Sequence, residues 1–404
     1  MIEKRELGKF LTPRRDINTP IYNWYPYKHS YSKDLVLNLL DHFSLTPGSW
    51  VLDPFCGGGN TLLTCKNAGI NSQGYDILPF AVFLTRAKTG NYNAETVQSA
   101  LELLTESKSM LTDGYEASSI PIYGRAFGET TQKWLHFVKS RINKITDLDT
   151  RNLATLAVLS ILESVAKAAK SGGFLRIIER PESSHEELEI RFIERFKSFL
   201  DDIKANTLTE PPLSFAELGD ARQLPLARQY DAVITSPPYP NRHDYTRIYS
   251  LELAYHFLSD NDQLKNLRYR TLRSHVEARE QYSPDQYTEP LQLTSLLDQA
   301  AANGFNNTQV HAMMGGYFAD MFMVLSEIKK SLKPAGRVAV VVSNVRFAGT
   351  MIPVDELLLE IGRKAGLIPV DIWIARYRGN SSQQMKVYGR VPTRESIVLW
   401  TNNG

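Results

Sequence analysis

Short apolar runs and amphipathic helical segments alternate towards both ends of the chain. Residues 34–43 carry apolar side chains at helical spacing, and residues 355–365 follow a similar pattern, so both are predicted helices. Residues 50–53, 230–234 and 337–343 are short and rich in apolar or β-branched side chains, as buried strands of a parallel sheet are. The pattern predicts a layered α/β fold with a mostly parallel sheet.

Two long stretches interrupt this alternation. Residues 94–210 are polar with apolar repeats at helical spacing, and they are far too long for an ordinary crossover between strands. We therefore predict an inserted helical subdomain there and a second insertion over residues 241–315. The core resumes between them at residues 211–240 and after them at residues 316–404.

A Ser-Pro-Pro-Tyr sequence, Ser236 to Tyr239, directly follows the apolar run 230–234 and Thr235. Pro237 and Pro238 stiffen the turn and remove two backbone donors, so an amino group that docks there meets acceptors. The Ser236 hydroxyl and the Pro237 carbonyl can each accept an N–H, and Tyr239 can stack on a base. An ordinary proline turn that closes a strand is the alternative.

A glycine-rich loop follows the apolar run at residues 50–53. The segment runs Asp53-Pro-Phe-Cys-Gly-Gly-Gly-Asn-Thr61, with a predicted helix from Asn60 or Thr61. Glycines allow close approach of a ligand, and the helix start offers free N–H groups. No Gly-Lys-[Ser/Thr] follows, and the spacing is not G-x-G-x-x-G, so phosphate binding is disfavoured.

Acidic residues stand at two further predicted strand ends. Asp76 lies about 20 residues beyond the glycine loop, an offset that suits hydrogen bonding to ribose hydroxyls. Asp220 follows a third predicted strand and could accept from an adenine amino group, while residues 78–80 could sandwich the adenine ring. Each acid alone is a common solvated loop residue, but their order predicts one crevice at the carboxyl edge of the sheet.

Residues 53–61 and 235–239 together resemble S-adenosylmethionine-dependent amino-methyltransferases that act on DNA. Ser236 resembles the cytosine-N4 branch of these restriction-modification enzymes, since adenine-N6 enzymes usually carry Asp or Asn there. The resemblance extends to residues 22–29 and 32–36, to residues 241–247 and to the last strands, and it covers about half the chain. The triplet Gly57-Gly58-Gly59 departs from the common Gly-Ser-Gly, which leaves the backbone donors to the cofactor undefined.

The resemblance implies a Rossmann-like class I methyltransferase fold: a mostly parallel seven-stranded sheet with one antiparallel strand, plus helical insertions. Residues 1–93 would hold an N-terminal arm and the cofactor-binding half, residues 94–210 a possible DNA-binding subdomain, and residues 241–315 the target-recognition region. Ser236, Pro237, Pro238 and Tyr239 would form the catalytic loop. The implied S-adenosylmethionine-binding residues are Tyr25, Asp53, Pro54, Phe55, Cys56, Gly57, Gly59, Thr61, Asp76, Ile77, Asp220 and Ala221.

The positions of the cysteines and histidines argue against methylation of cytosine at carbon 5 and against a metal site. Methylation of cytosine at carbon 5 needs a thiolate nucleophile, but the two cysteines, Cys56 and Cys65, lie in or just after the glycine loop. They form neither a C-x-x-C nor a disulfide framework, and the histidines show no ligand spacing, so we predict no metal site.

The formal net charge of +2 is nearly neutral, so duplex DNA as a partner has to be argued from local basic residues. The predicted DNA contacts are Arg242, Lys265, Arg268, Arg270 and Arg273, although a solvated helical face would explain the basic stretch as well. A second candidate, residues 167–176, places basic residues around a Gly-Gly pair, as a loop that enters a groove would.

With 43% hydrophobic and 22% charged residues, the composition is that of a globular protein. The charged start and the lack of a long apolar stretch predict a cytoplasmic enzyme, associated with the nucleoid when it is bound to DNA, and no membrane partner. A cognate restriction endonuclease that acts separately is a further expected partner. Adenine N6, an amino group in RNA, and a non-catalytic nucleic-acid-binding protein of the same fold remain alternatives.

Overall fold

A computed structural model describes residues 1–106, 118–206, 208–225, 227–279, 284, 286–304, 309–379 and 382–403. Its strands, in chain order, are β1 (Ile2–Glu3), β2 (Trp50–Asp53), β3 (Asn71–Asp76), β4 (Ala168–Ser171), β5 (Phe174–Ile177), β6 (Ser214–Leu218), β7 (Tyr230–Thr235), β8 (Leu332–Ser343), β9 (Val345–Phe347), β10 (Thr350–Ile352), β11 (Ile368–Arg378) and β12 (Thr393–Thr401).

The central sheet has the order β1-β11-β12-β8-β7-β2-β3-β6. Strand β12 runs antiparallel to both of its neighbours, and the other pairs in this sheet are parallel. The prediction of a mostly parallel sheet with one antiparallel strand is therefore confirmed. The count of seven strands was one too low, because Ile2 and Glu3 pair with Trp373 and Ile374 and add a short edge strand.

The helices are α1 (Lys33–His42), α2 (Asn60–Asn67), α3 (Pro79–Thr89), α4 (Ala94–Glu106), α5 (Pro121–Ala126), α6 (Glu129–Ile142), α7 (Leu148–Val165), α8 (His185–Ala205), α9 (Tyr245–Ile248), α10 (Ser250–Glu252), α11 (Asn261–Arg270), α12 (Leu291–Ala302), α13 (Gln309–Ser331), α14 (Val354–Lys364) and α15 (Ser382–Tyr388). Short 3-10 helices occur at Arg5–Phe10, Pro13–Asp16 and Tyr22–Trp24, and a π-helix at Leu253–Phe257. Helices α1 and α14 match the predicted segments 34–43 and 355–365 closely.

The sheet is buried on both faces. The apolar face of α1 packs with Val51, Ala232 and Val341 on one side. Helices α13 and α14 pack with Leu52, Val233 and other strand residues on the opposite side. Since alternate residues of a strand point to opposite faces, Val51 and Leu52 face different helical layers, which explains the continuous apolar runs in the sequence.

Helices α4 to α8 share one apolar core with α3, with the aromatic residues of the N-terminal arm, and with residues 248–264. Trp24 stacks on Phe199 of α8 with ring centroids 4.7 Å apart. The helical insertion is thus packed into the body of the protein through the arm. A short hairpin, β4 to β5, also belongs to this insertion, where the sequence predicted helices. Among the described residues, the helices that are long enough to cross a membrane are too polar to do so.

Candidate active site

Four neighbouring parallel strands end at one edge of the sheet, and a residue of the predicted site lies at or just after the end of each strand. In the order β7-β2-β3-β6, these residues are Ser236, Asp53, Asp76 and Asp220. The predicted convergence at the carboxyl edge is therefore present, and all four line one cavity. The other predicted residues that line it are Pro54, Phe55, Cys56, Gly57, Thr61, Ile77, Ala221 and Pro238.

The glycine loop contains two glycines with positive φ, and the Tyr27 ring packs over it. Gly57 has φ +47° and Gly59, which precedes helix α2, has φ +77°, a region that favours glycine. A Cβ on Gly58 would lie 2.6 Å from the Cβ of Tyr27, so Gly58 lets the arm close over the loop. The Tyr27 ring is in turn stacked on Tyr249 at 4.5 Å.

Asp53 is buried and surrounded by hydroxyl and amide donors. Thr235 Oγ1 donates to its Oδ1 at 2.6 Å, and the Phe55 N–H donates to the same oxygen at 3.1 Å. The Tyr31 hydroxyl reaches Oδ2 at 3.4 Å and Thr61 Oγ1 at 2.5 Å. Desolvation nevertheless raises the pKa of Asp53, because these neutral donors do not replace water fully. A cation in the cavity would stabilise its charged form.

Asp76 joins strand β3 to the glycine loop. Its Oδ2 accepts from the Gly57 N–H at 3.0 Å and its Oδ1 from the Leu78 N–H at 2.9 Å. Burial raises the pKa of Asp76 to about 6. Each carboxylate oxygen has a second lone pair, so both can still accept from ligand hydroxyls.

Asp220 is already engaged by a neighbouring cation. Arg222 Nε donates to its Oδ1 at 3.0 Å and a terminal nitrogen of Arg222 reaches Oδ2 at 2.6 Å. The sequence predicts Asp220 as an acceptor for an adenine amino group, and the structure shows that it also has a bidentate arginine partner. Arg222 is also 3.2 Å from the buried Asp320 of α13.

The Ser236 hydroxyl is tied to the neighbouring strand. Its Oγ donates to the carbonyl oxygen of Val341 in β8 at 3.1 Å and lies 3.4 Å from the Tyr239 hydroxyl. The Tyr239 hydroxyl lies 3.5 Å from Oε1 of the buried Glu395. Because the serine proton points away towards Val341, the oxygen lone pairs are available to an incoming N–H donor.

Two of the predicted cofactor residues, Tyr25 and Gly59, do not line the cavity. The Tyr25 side chain is buried, and its hydroxyl donates to Glu252 Oε1 at 2.6 Å. Tyr27 and Tyr31 of the same arm line the cavity instead. The sequence of the arm does not reveal which of its aromatic rings face the cavity.

Several cavity residues were missed by sequence reasoning. His29, Ser30 and Tyr245 lie at this cavity, and so do Thr271, Leu272, Ser274 and His275 of the second insertion. The second group directly follows the basic helix α11, whose charge pattern predicts a DNA-binding surface or a solvated helical face. The sequence Thr271-Leu-Arg-Ser-His275 matches no motif that predicts a cavity wall.

Two of the five predicted DNA contacts are used inside the protein. Arg268 is 2.8 Å from the buried Asp244, and Arg273 is 2.5 Å from the buried Asp320. Burial of an unpaired carboxylate is unfavourable, so these arginines neutralise the two acids and are not free to grip phosphate. Arg242, Lys265 and Arg270 are exposed.

Asp244, His275 and Glu277 place ligand atoms within 4.8 Å of one another. Arg247 already bridges this group, at 3.3 Å from Asp244 and 2.7 Å from Glu277, so guanidinium charge offsets its acids. The absence of a metal site stays a prediction.

Both cysteines are buried, and burial raises the pKa of the Cys56 thiol, which disfavours a thiolate nucleophile in this loop.

No protein-family model matches the chain. A curated relative, the Type II methyltransferase M.BsoBI of Geobacillus stearothermophilus, is 33% identical over 97% of this chain and 87% of its own length. The chain belongs to the Type II methyltransferases. The Type II methyltransferase M.AvaI of Anabaena variabilis is 28% identical over 97% of this methyltransferase and 88% of its own length. M.MjaII of Methanocaldococcus jannaschii is 34% identical to it over 26% of this chain and 19% of its own length.

Solved structures similar to this methyltransferase include TrmN from Thermus thermophilus, with a TM-score of 0.30, 11% identity, and coverage of 92% of this chain and 48% of the other. A TehB-like SAM-dependent methyltransferase from Corynebacterium glutamicum has a TM-score of 0.31 at 8% identity, with coverage of 93% and 90%. These scores are too low to support a functional comparison.

Proposed function

We propose that this Type II methyltransferase transfers a methyl group from S-adenosylmethionine to the N4 amino group of a cytosine flipped out of duplex DNA. The observation that carries the proposal is the position of Ser236. Its hydroxyl oxygen faces the same cavity as Asp53 and Asp76, with its proton directed to Val341. An amino group at this loop therefore meets acceptors.

The charge of the cavity fits the proposed cofactor. The described residues that line it include Asp53, Asp76 and Asp220 but no lysine or arginine. Such a lining favours a ligand with cationic sulfonium and ammonium groups and disfavours a phosphate. Asp76 would hold the ribose hydroxyls, the glycine loop would contact the amino acid end under Tyr27, and Ile77 and Leu78 would pack on the adenine. When it is bound, S-adenosylmethionine supplies an electrophilic methyl group with a good leaving group.

Ser236 and the Pro237 carbonyl would accept the two N–H groups of the target base. These hydrogen bonds orient the nitrogen lone pair towards the cavity, and the rigid Pro237-Pro238 backbone keeps the geometry fixed. The bound cofactor would supply the methyl group for the new N–C bond, and its sulfur would keep the electron pair of the methyl–sulfur bond. The nitrogen then loses one proton, and the neighbouring acceptors or water can take it.

The choice of cytosine rests on Ser236, since Asp or Asn is usual at this position in adenine-N6 enzymes of the family it resembles. The serine side chain is shorter than that of Asp or Asn, and its hydroxyl oxygen accepts hydrogen bonds more weakly than a carboxylate or an amide oxygen does. A role in protecting DNA beside a separate restriction endonuclease follows from the family and is part of the proposal.

The first test separates DNA from other acceptors. The purified chain is incubated with isotopically labelled S-adenosylmethionine and either unmethylated duplex DNA or RNA of matched base composition. We expect label in the duplex and none in the RNA. Label in RNA alone would overturn the proposed substrate class.

A further inference from the structure

The β4 to β5 hairpin of the helical insertion projects beside the candidate active site. Ser171 and Phe174 pair across its tip, and Gly172 and Gly173 form the turn. A Cβ on Gly173 would lie 2.4 Å from Cδ2 of His243, which stands a few residues after the catalytic loop. The turn can approach His243 this closely only because it has no side chain there.

His243 connects the hairpin turn to a residue that lines the cavity. The His243 ring lies 4.8 Å from the ring of His29, and His29 lines the cavity together with Ser236. Helix α9, which begins with the cavity residue Tyr245, also packs against β5. The tip is thus part of the surface that surrounds the opening.

A buried ion pair anchors the hairpin. Lys170 of β4 has 3% of its side chain exposed, and its Nζ lies 2.6 Å from Oε1 of Glu252, which is 1% exposed. The same ammonium group bonds to the Tyr25 hydroxyl, and Lys28 bonds to the Lys170 carbonyl. The hairpin is therefore held next to its tip by both the N-terminal arm and α10, which keeps the tip in a defined position.

The tip carries an exposed aromatic ring. Phe174 is 51% exposed, whereas the next residue, Leu175, packs against the core of the insertion. Side chains alternate along a strand, so Phe174 and the exposed Arg176 point to the same side of β5. Arg242, also exposed, stands next to His243. An apolar ring with basic neighbours, on a rigid support beside the cavity, matches what a protein needs to enter a base stack while it contacts phosphates.

We propose that this tip contacts duplex DNA at the target base pair and that Phe174 inserts into the base stack beside the flipped base. The inference rests on the proposed function, since it requires a duplex whose target base leaves the helix. Unpairing and unstacking a base costs a few kcal/mol, and an apolar side chain that fills the vacated space offsets part of it. Phe174 then acts on the opening of the pair and leaves the methyl-transfer step unchanged.

The test uses the full chain and compares two duplexes that contain the methylated site, once that site has been mapped by sequencing methylated DNA. One duplex has the normal base pair, and the other has an abasic site opposite the target base, which removes the cost of unpairing. Single-turnover rates of label transfer are measured for the wild type, F174A, F174W and I177A. Ile177 is the matched control, because it is an apolar side chain on the same strand, 40% exposed, and pairs with Ala168 at the hairpin base.

We expect F174A to slow transfer to the paired duplex by about tenfold, a change that corresponds to part of the cost of flipping. On the abasic duplex F174A should match the wild type. F174W and I177A should stay within about twofold on both duplexes. An unchanged rate of F174A on the paired duplex, or an equal loss on both duplexes, would overturn the inference. If the wild type transfers label to neither duplex, the proposed function itself fails, which is a different result.

Discussion

The backbone N–H of Gly57 donates to Oδ2 of Asp76 at 3.0 Å, so the glycine loop after β2 is joined directly to the end of β3. Asp76 also accepts from the Leu78 N–H, which fixes the start of the next helix. One carboxylate therefore sets the shape of the cavity and still has lone pairs for a ligand. This arrangement links the proposed cofactor site to the fold.

Replacement of Asp76 by alanine should weaken S-adenosylmethionine binding by about one to two powers of ten, since hydrogen bonds to a charged group each contribute about 1.5–3 kcal/mol. Isothermal titration calorimetry measures the change. D298A, which removes an exposed carboxylate from helix α12, is the matched control and should bind as the wild type does. Unchanged binding by D76A would remove Asp76 from the cofactor site.

Cofactor affinity should also depend on pH. In the free protein, burial raises the pKa of Asp76 from 3.8 to about 6. Hydroxyl donors and a cation favour the ionised carboxylate, so binding lowers this pKa and releases a proton below about pH 6. We expect roughly tenfold weaker binding at about pH 5 than at about pH 7.5, and little change at higher pH.

The raised pKa of Asp76 also affects the stability of the fold, which should fall with rising pH while cofactor affinity rises. The native state keeps the Asp76 proton up to about pH 6, whereas the unfolded chain loses it near 3.8, so this group lowers the stability of the free protein as pH rises between these values. The variant D76N removes the titrating group and should show less pH dependence of both binding and thermal stability. Equal wild-type affinity at the two pH values would show that Asp76 does not titrate on binding.

Replacement of Ser236 by alanine should lower kcat by roughly ten- to a hundredfold, because the amino group loses one of its two oriented acceptors. The dissociation constant for S-adenosylmethionine should stay within about twofold, since Ser236 is assigned to the target base. S164A, a change at an exposed serine that bonds within helix α7, should leave both constants unchanged. A wild-type kcat for S236A would exclude the serine from the mechanism.

The site residues at the strand ends could be predicted from sequence, because each one is adjacent to its predicted strand along the chain. Asp53 and Asp76 are the last residues of predicted strands, Ser236 directly follows another, and parallel strands place their carboxyl ends together. The roles of Asp220, Arg268 and Arg273 could not be predicted in the same way. The two arginines pair with Asp244 and Asp320, which are distant in sequence, and only the fold shows that these acids are buried. Asp220 pairs with Arg222, which is close in sequence, but no motif predicts this pairing.

The arginines of the second insertion should therefore separate into two classes. R273A leaves the buried Asp320 with one fewer cation and should lower the melting temperature by several degrees, since breaking a buried ion pair costs about 3–5 kcal/mol. R270A removes an exposed charge and should leave the melting temperature unchanged while weakening DNA binding.

Differential scanning fluorimetry and DNA titrations at several salt concentrations distinguish the two variants. A phosphate contact by Arg270 predicts a shallower salt dependence, by about one unit of slope, in R270A. An unchanged slope would remove Arg270 from the DNA contacts. A wild-type melting temperature for R273A would mean that the Asp320 pair contributes little to stability.

The most direct test of the central claim is the identity of the methylated nucleoside. Unmethylated duplex DNA is incubated with the purified chain and labelled S-adenosylmethionine, digested to nucleosides, and analysed by mass spectrometry, with S236A as a parallel sample. The account predicts labelled N4-methylcytosine, formed much more slowly by S236A. Labelled N6-methyladenine or 5-methylcytosine as the product would contradict it.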